Sequence, residues 1–178
     1  MTKYARFASV VFAGLFAGFL TAVLVLELSL RSFDSTIYTQ VRQVELDSLD
    51  KLAVATLLPA LIATAVLVYR TFRTNKRWLT VAALALLLFI FGLTLIVNLP
   101  INDDQLGWNT QSPPSGWANV RDTWQVAHAI RTVAAVLAFA VLAALDGWLP
   151  ASAEPGRSGT RPGWPGRDVT VAGFVRRS

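Results

Sequence analysis

Four long apolar stretches alternate with polar segments along this chain of 178 residues. Their apolar limits lie at about residues 7–30, 52–70, 78–98 and 117–146. A helix needs roughly 20 residues to cross the hydrocarbon core of a bilayer. Each stretch therefore predicts one membrane span. We expect an all-α fold, an integral membrane four-helix bundle, with residues 1–149 as its transmembrane domain.

The segments between the spans predict the remaining architecture. The first loop, TIYTQVRQVELDSLDKL, places apolar residues at near-helical spacing among charges, which indicates an amphipathic or otherwise structured loop, such as an interfacial helix that leads into the second span. Pro100 predicts that the third helix ends at about residue 98. A second, Trp-rich loop follows. Residues 150–178 are rich in Gly, Pro and Arg and predict a disordered basic tail.

Basic residues mark one side of the predicted bundle. They precede the first span, fill the short link between the second and third spans, and recur in the tail: Lys3, Arg6, Arg70, Arg73, Lys76, Arg77, Arg157, Arg161, Arg167, Arg176 and Arg177. The other side mixes basic residues with most of the acids. Because cytoplasmic segments carry the excess of Lys and Arg, both termini are predicted to be cytoplasmic.

Composition excludes several classes of protein. Hydrophobic residues make up 54% of the chain and charged residues 15%, whereas soluble domains are about one quarter charged. The chain has no Cys, which excludes disulfides, thiolate metal sites and a cysteine nucleophile. The net charge of +5 comes from blocks that flank apolar runs, so no nucleic-acid partner is expected. The predicted partner is the lipid bilayer.

Candidate chemistry concentrates on one face of the fourth helix. At about 100° per residue, six residues fall in one arc: Arg121, Trp124, Gln125, His128, Arg131 and Thr132. Lipid offers such groups no partner, so the arc should face the bundle interior. We expect helices one, three and four to enclose a polar-lined cavity that opens toward the non-cytoplasmic side. Its expected lining is Glu27, Asn98, Asn102, Arg121, His128 and Arg131. The alternative is that the polar residues only lock helices together.

Other residues allow two interpretations each. Glu27 could pair with Arg31 one turn away, or reach His128 or Arg131 across the bundle. The aromatic residues Trp108, Trp117 and Trp124 could form an interfacial belt or wall a pocket for an aromatic ligand. Gly14 and Gly18 form a GxxxG step that favours close helix packing, within the chain or in a homo-oligomer.

The order of motifs in the second half of the chain resembles a known family. NLPIN, a Trp, PPSGW, VRDTW and HAIR follow one another between residues 98 and 131. This order is similar to the N-x-P-x-N, W, P-x-x-W, R-x-x-W and H-x-x-R pattern of the anthrone-oxygenase-like family of small four-helix membrane proteins. The long polar first loop and Glu27 resemble a bacterial branch, which implies a bacterial cytoplasmic membrane.

The resemblance implies oxygenation of a polyketide anthrone, or a quinone-like aromatic, without an evident metal or flavin. His128 would take the substrate proton, and Arg131 or Arg121 would hold the enolate oxygen. Binding of the apolar aromatic molecule would fall to Glu27, Asn98, Asn102, Trp108, Trp117 and Trp124. Two alternatives remain open: axial ligation of haem by His128, and a non-catalytic membrane subunit or quinone-binding protein with an unidentified membrane partner. No metal site is predicted, because one His with carboxylates is a thin ligand set.

Overall fold

The computed structural model describes residues 2–147, and these residues are almost entirely helical. The helices are α1 (Thr2–Ser29), α2 (Ser35–Thr71), α3 (Arg77–Leu93), α4 (Leu99–Leu106) and α5 (Trp117–Gly147). A 3₁₀ turn (Leu30–Ser32) follows α1, and a π-helical turn (Thr94–Asn98) joins α3 to α4. No strand occurs among these residues. The predicted disordered tail, residues 150–178, lies outside the described residues.

Four helical segments are long and apolar enough to cross a membrane: Lys3–Ser32, Ser35–Thr71, Arg77–Leu106 and Trp117–Leu145. α1 packs against α2 and α5, and α3 packs against the same two helices. The bundle core is built from small and branched side chains with one aromatic ring, among them Ala13, Phe16, Leu57, Ala83, Leu87, Ala138 and Leu142. The apolar residues left on the outer surface can face lipid. The chain is thus an integral membrane four-helix bundle, as the sequence predicts.

The second helix is much longer than its apolar stretch. α2 begins at Ser35, whereas the apolar pattern places its start at about residue 52. Asp34 caps this start, because its carboxylate accepts hydrogen bonds of 2.9 Å from the backbone N–H groups of Thr36 and Ile37. The amphipathic first loop is therefore the first half of α2. This extension carries Arg42 and Glu45 into the bundle.

Pro100 led us to expect that the third span ends at about Asn98, but the span continues beyond it. A π-helical turn over Thr94–Asn98 interrupts the regular α-helical ladder, and the chain then continues as α4. Pro100 lies in the first turn of α4, where a missing N–H group is tolerated. The π turn thus lets the helix pass the proline. Turns of this kind occur often at functional sites, and this one contributes Thr94 to the cavity described below.

The opposite end of the bundle is held by the link between α2 and α3. Lys76 Nζ donates a hydrogen bond of 3.0 Å to the carbonyl of Leu145, near the end of α5. A cation at a helix C-terminus also interacts favourably with the helix dipole.

Gly14 faces α5, since a Cβ atom there would lie 2.9 Å from the ring of Phe139. Gly14 therefore serves packing within the chain, while Gly18 has open space beside it.

Candidate functional site

A cavity of about 330 Å³ lies between the four spans. Most of its wall is apolar. The polar groups on the wall come from α2, the third span and α5, and none comes from α1. They are Arg42, Glu45, Asp50, Thr94, Asn102, Trp124, His128 and Arg131. Ligand sites are commonly apolar clefts of about 300–1,000 Å³ with a few placed polar groups. The cavity therefore has the size and composition of a site for a small apolar molecule.

Arg42 is the centre of a buried polar network on one side of the cavity. Its Nε donates to Gln105 Oε1 at 2.9 Å, and its Nη2 donates to Asn102 Oδ1 at 2.7 Å. Its Nη1 lies 2.9 Å from Glu45 Oε2 and 3.2 Å from Glu27 Oε1. All of these side chains are buried. A buried guanidinium is tolerated here because both carboxylates and two amide oxygens satisfy it.

Glu27 joins the network from α1 and does not pair as the sequence suggested. Its partners are Arg42 and Gln125, whose Nε2 donates to Glu27 Oε2 at 2.9 Å. Arg31 instead lies 3.1 Å from Asp122 at the exposed end of the bundle. Glu27 is fully buried and is not on the cavity wall. Its carboxylate therefore holds Arg42 in place rather than facing a ligand.

Trp124 is enclosed by polar and aromatic groups. The guanidinium of Arg42 lies 3.8 Å from the centre of the indole ring, and the His128 ring stacks on it at 4.6 Å and 10°. The indole N–H donates to Asn102 Oδ1 at 2.7 Å. Arg42, His128 and Asn102 thus hold Trp124 in place on the cavity wall, and its role in binding a substrate stays a prediction.

His128 and Arg131 form a hydrogen-bonded pair on α5. His128 Nε2 lies 3.0 Å from the carbonyl of Leu20, which can only accept a hydrogen bond, so Nε2 carries the proton. His128 Nδ1 accepts from Arg131 Nη2 at 2.8 Å. Arg131 Nη1 donates to Thr94 Oγ1 at 2.9 Å. The π turn and α1 thus fix the orientation of both side chains.

The structure brings together some of the predicted site residues and separates others. Asn102, Trp124, His128 and Arg131 lie on the cavity wall. Asn98 lies behind it and donates to the carbonyl of Trp124 at 3.4 Å. The polar arc of α5 faces the interior, and Arg121 at its outer end has a side chain that is 11% exposed.

Arg121, Trp108 and Trp117 belong to the loop end of the bundle. Arg121 Nη2 lies 3.0 Å from Asp122, and its guanidinium lies 4.8 Å from the centre of the Trp117 ring. Trp117 packs against Tyr38, and buried Trp108 joins the same cluster. None of these residues lines the cavity. The catalytic role of Arg121 and the binding roles of both Trp stay predictions.

Several residues of the cavity were missed by sequence reasoning. Arg42, Glu45 and Asp50 lie on the half of α2 that was interpreted as an amphipathic or structured segment outside the bundle. An N-cap signal, Asp34 before Ser35 and Thr36, marks the helix start that would have placed them. The aromatic wall is formed by Phe16, Phe19 and Phe91 together with Trp124. These Phe residues carry no signal, because they look like any other apolar residue of a span.

A metal ion or a haem iron would need ligands from the side chains of this site. Among residues 2–147, no group of three or more His, Asp or Glu side chains is placed to hold a metal ion. Ligation of haem iron by His128 would require one ring nitrogen to leave its present partner, Leu20 or Arg131. The haem alternative stays a prediction, and an absorbance scan for a Soret band tests it.

The family model described as anthrone oxygenase matches residues 50–141, about half of the chain. The chain belongs to the anthrone oxygenase family. This match confirms the resemblance carried by the motifs between Asn98 and Arg131. It covers the π turn and the cavity-lining part of α5, whereas Glu27, Arg42 and Glu45 lie before it. No curated protein and no solved structure matches the chain.

Proposed function

We propose that the protein is a membrane-embedded oxygenase that acts on an apolar aromatic substrate of the anthrone type. The proposal rests on one observation above the others: Arg131, held by hydrogen bonds to Thr94 and His128, forms part of the wall of an otherwise mostly apolar cavity. Membership in the anthrone oxygenase family supports the same reaction class. Family membership alone does not fix a substrate, because one fold hosts many reactions.

The reaction needs a base, an anion-holding group and an apolar slot. The methylene carbon opposite the carbonyl of an anthrone loses a proton, and the electron pair of the broken C–H bond moves onto the carbonyl oxygen. The anion then reduces dioxygen. The methylene becomes a second carbonyl, and one oxygen atom of dioxygen leaves as water. The three Phe of the cavity wall suit the rings, since aromatic side chains pack favourably against them.

Arg131 is the proposed anion-holding group, and His128 is the proposed base. Nδ1 is the only nitrogen of His128 with a lone pair, and Arg131 Nη2 occupies it. A substrate oxygen that draws the guanidinium toward itself would uncover Nδ1 at the same time. One movement of Arg131 would thus stabilise the developing charge and free the base. Arg131 Nε, which has no hydrogen-bond partner within residues 2–147, is a further donor for the substrate.

A second candidate is a ligand-binding subunit without catalysis. Arg42 favours it, because its three nitrogen atoms bind side chains of α1, α2 and α4. In this candidate, the buried charges are present because they fix the positions of the helices relative to one another. Both candidates bind a ligand in the same cavity, but only the oxygenase converts it to a product.

The proposed location is the bacterial cytoplasmic membrane, with both termini in the cytoplasm and the polar end of the cavity toward the outside. The Lys and Arg residues of the link between α2 and α3 carry this proposal. The end of α5 lies beside the same link, which is consistent with termini on one side.

Turnover by protein reconstituted in lipid nanodiscs tests the proposal. Anthrone and dioxygen should give anthraquinone with one dioxygen consumed for each product formed. Ala53→Phe, which fills the cavity, should abolish this activity. Ala55→Phe places the same side chain on the exposed side of the same helix and is the matched control. Binding of anthraquinone without any turnover of anthrone would favour the binding subunit.

A further inference from the structure

The exposed residues of the cavity wall all lie on α2 and on the third span, Arg77–Leu106, which includes the π turn and α4. Asp50, Val54 and Leu58 of α2 are exposed, as are Leu95 of the π turn and Leu99 of α4. In contrast, no cavity-lining residue of α1 or α5 is exposed. The lining of the cavity thus reaches the outer surface of the bundle along α2 and the third span, and not along α1 or α5. The cavity therefore opens sideways, between α2 and the third span.

The rim of this opening is apolar. Val54 is 56% exposed, Leu58 41%, Leu95 47% and Leu99 39%. These four residues belong to segments that are apolar enough to cross the membrane. Asp50 is the charged residue at the opening, and it lies at the polar edge of the apolar stretch of α2. The opening thus faces the hydrocarbon of the bilayer just inside its interface.

We propose that the ligand reaches the cavity from the lipid phase, by lateral passage between Val54 and Leu58 on α2 and Leu95 and Leu99 on the third span. The ligand class is a flat apolar aromatic molecule that dissolves in the bilayer and carries one carbonyl or enolate oxygen. The oxygen would reach Arg131 and the rings would remain against Phe16, Phe19 and Phe91. For its ligand class the inference rests on the proposed function. For its route it rests only on the rim and on the closed polar side of the cavity.

The lipid route follows from the cost of the alternative. The polar side of the cavity toward the loops is closed by buried Arg42, Asn102 and Trp124, which are bound to one another. Passage from water along that side would require those hydrogen bonds to open. Passage across the rim displaces only lipid chains, and an apolar molecule is already concentrated in the bilayer.

Binding kinetics of anthraquinone test the route without requiring turnover. Association and dissociation are followed by quenching of tryptophan fluorescence in nanodiscs. Leu95→Trp, which narrows the opening, should slow both rates by about tenfold, an added barrier of about 1.4 kcal/mol, while the Kd changes little. Leu95→Ala, which widens the opening, should speed both rates.

Ile96→Trp is the matched control. Ile96 is 76% exposed, adjoins Leu95 in the π turn and does not line the cavity, and the variant has the same number of tryptophans. Its rates should equal those of the parent protein. Equal rates for Leu95→Trp and Ile96→Trp would overturn the lateral route even if anthrone is oxidised.

The reverse combination separates the two proposals. Suppose that the rates of anthraquinone binding depend on residue 95 but that the protein never oxidises anthrone. This result would support the lateral route and contradict the proposed oxygenase activity. A cavity that retains a phospholipid in native mass spectrometry, and releases none of it to anthraquinone, would overturn the aromatic ligand and assign the opening to an acyl chain.

Discussion

Arg131 Nη2 donates a hydrogen bond of 2.8 Å to His128 Nδ1, so the proposed anion-holding group occupies the lone pair of the proposed base. The two residues lie three apart on α5, where side chains share one face. A substrate that draws Arg131 away would activate both groups together. The pair is therefore consistent with a base that is available only when a substrate is bound.

The first prediction concerns His128. His128→Ala should lower turnover by about 10²–10⁴, the usual effect of removing a general base. His128→Gln separates this role from positioning, because an amide can accept from Arg131 and donate to Leu20 but cannot take the proton. We expect both variants to be inactive and both to bind anthraquinone. Full turnover by His128→Gln would show that His128 only orients Arg131.

Glu45 is the competing base, and it gives the second prediction. Its Oε1 accepts no hydrogen bond from any described residue, and the side chain is buried on the cavity wall. If His128 is the base, Glu45→Gln should retain the first chemical step. That step is measured without dioxygen, as exchange of the anthrone methylene hydrogens with D2O above the rate in protein-free nanodiscs.

A matched control for Glu45 lies two residues further along α2. Asp47 is an exposed acid on the same helix, so Asp47→Asn removes a carboxylate without touching the cavity. Exchange that disappears in Glu45→Gln but persists in Asp47→Asn and His128→Gln would transfer the role of base to Glu45.

Arg131→Lys is the third prediction. Arg131 uses two nitrogen atoms at once, Nη1 on Thr94 and Nη2 on His128. An ammonium group keeps the charge but lacks this planar fork. We expect turnover to fall by about 10²–10³, the effect of losing one oxyanion donor. Arg31→Lys, at an exposed ion pair with Asp122, should keep parental turnover. Equal activity of the two variants would remove Arg131 from the chemistry.

The sequence predicts the spans well because membrane helices carry a strong local signal. A span needs a long apolar run, and each of the four runs stands out in composition alone. The interior face of α5 was also predictable from local sequence, because His128 and Arg131 find no partner in lipid.

The cavity was harder to predict because its partners are distant along the chain. Arg42 and Asn102 meet across the bundle, and neither carries a local sign of the other. The first half of α2 has apolar residues at near-helical spacing, but its charges suit a segment at the membrane surface better than one inside the bundle. The surroundings of Trp124 were equally hard to predict, since only the three-dimensional structure shows Arg42 and His128 against its ring.

Topology gives the fourth prediction. The chain has no Cys, so a single introduced Cys reports its own side of the membrane. In intact cells, a membrane-impermeant maleimide should label Ser112→Cys, in the loop before α5, and should not label Thr74→Cys, in the basic link. Both should react after the membrane is opened. A reporter fused after Ser178 should be active only in the cytoplasm, and the reverse pattern would invert the bundle.

The buried network around Arg42 gives the last prediction. Arg42 is 3% exposed and is shared by Glu27 and Glu45, so Arg42→Met leaves two buried carboxylates without their cation. Breaking one side of a buried ion pair typically costs about 3–5 kcal/mol. Arg31→Met removes a cation from an exposed pair instead, where the cost is about 0–1 kcal/mol. Thermal unfolding in detergent should therefore separate the two variants clearly.

Removing the carboxylates as well tests the cause of that loss. Arg42→Met combined with Glu27→Gln and Glu45→Gln leaves no uncompensated buried charge, so much of the lost stability should return. Recovery of stability without recovery of anthraquinone binding would show that Arg42 shapes the cavity beyond holding the helices together. A triple variant as unstable as Arg42→Met alone would mean that packing of the guanidinium on Trp124, 3.8 Å from its ring centre, supplies the stability instead.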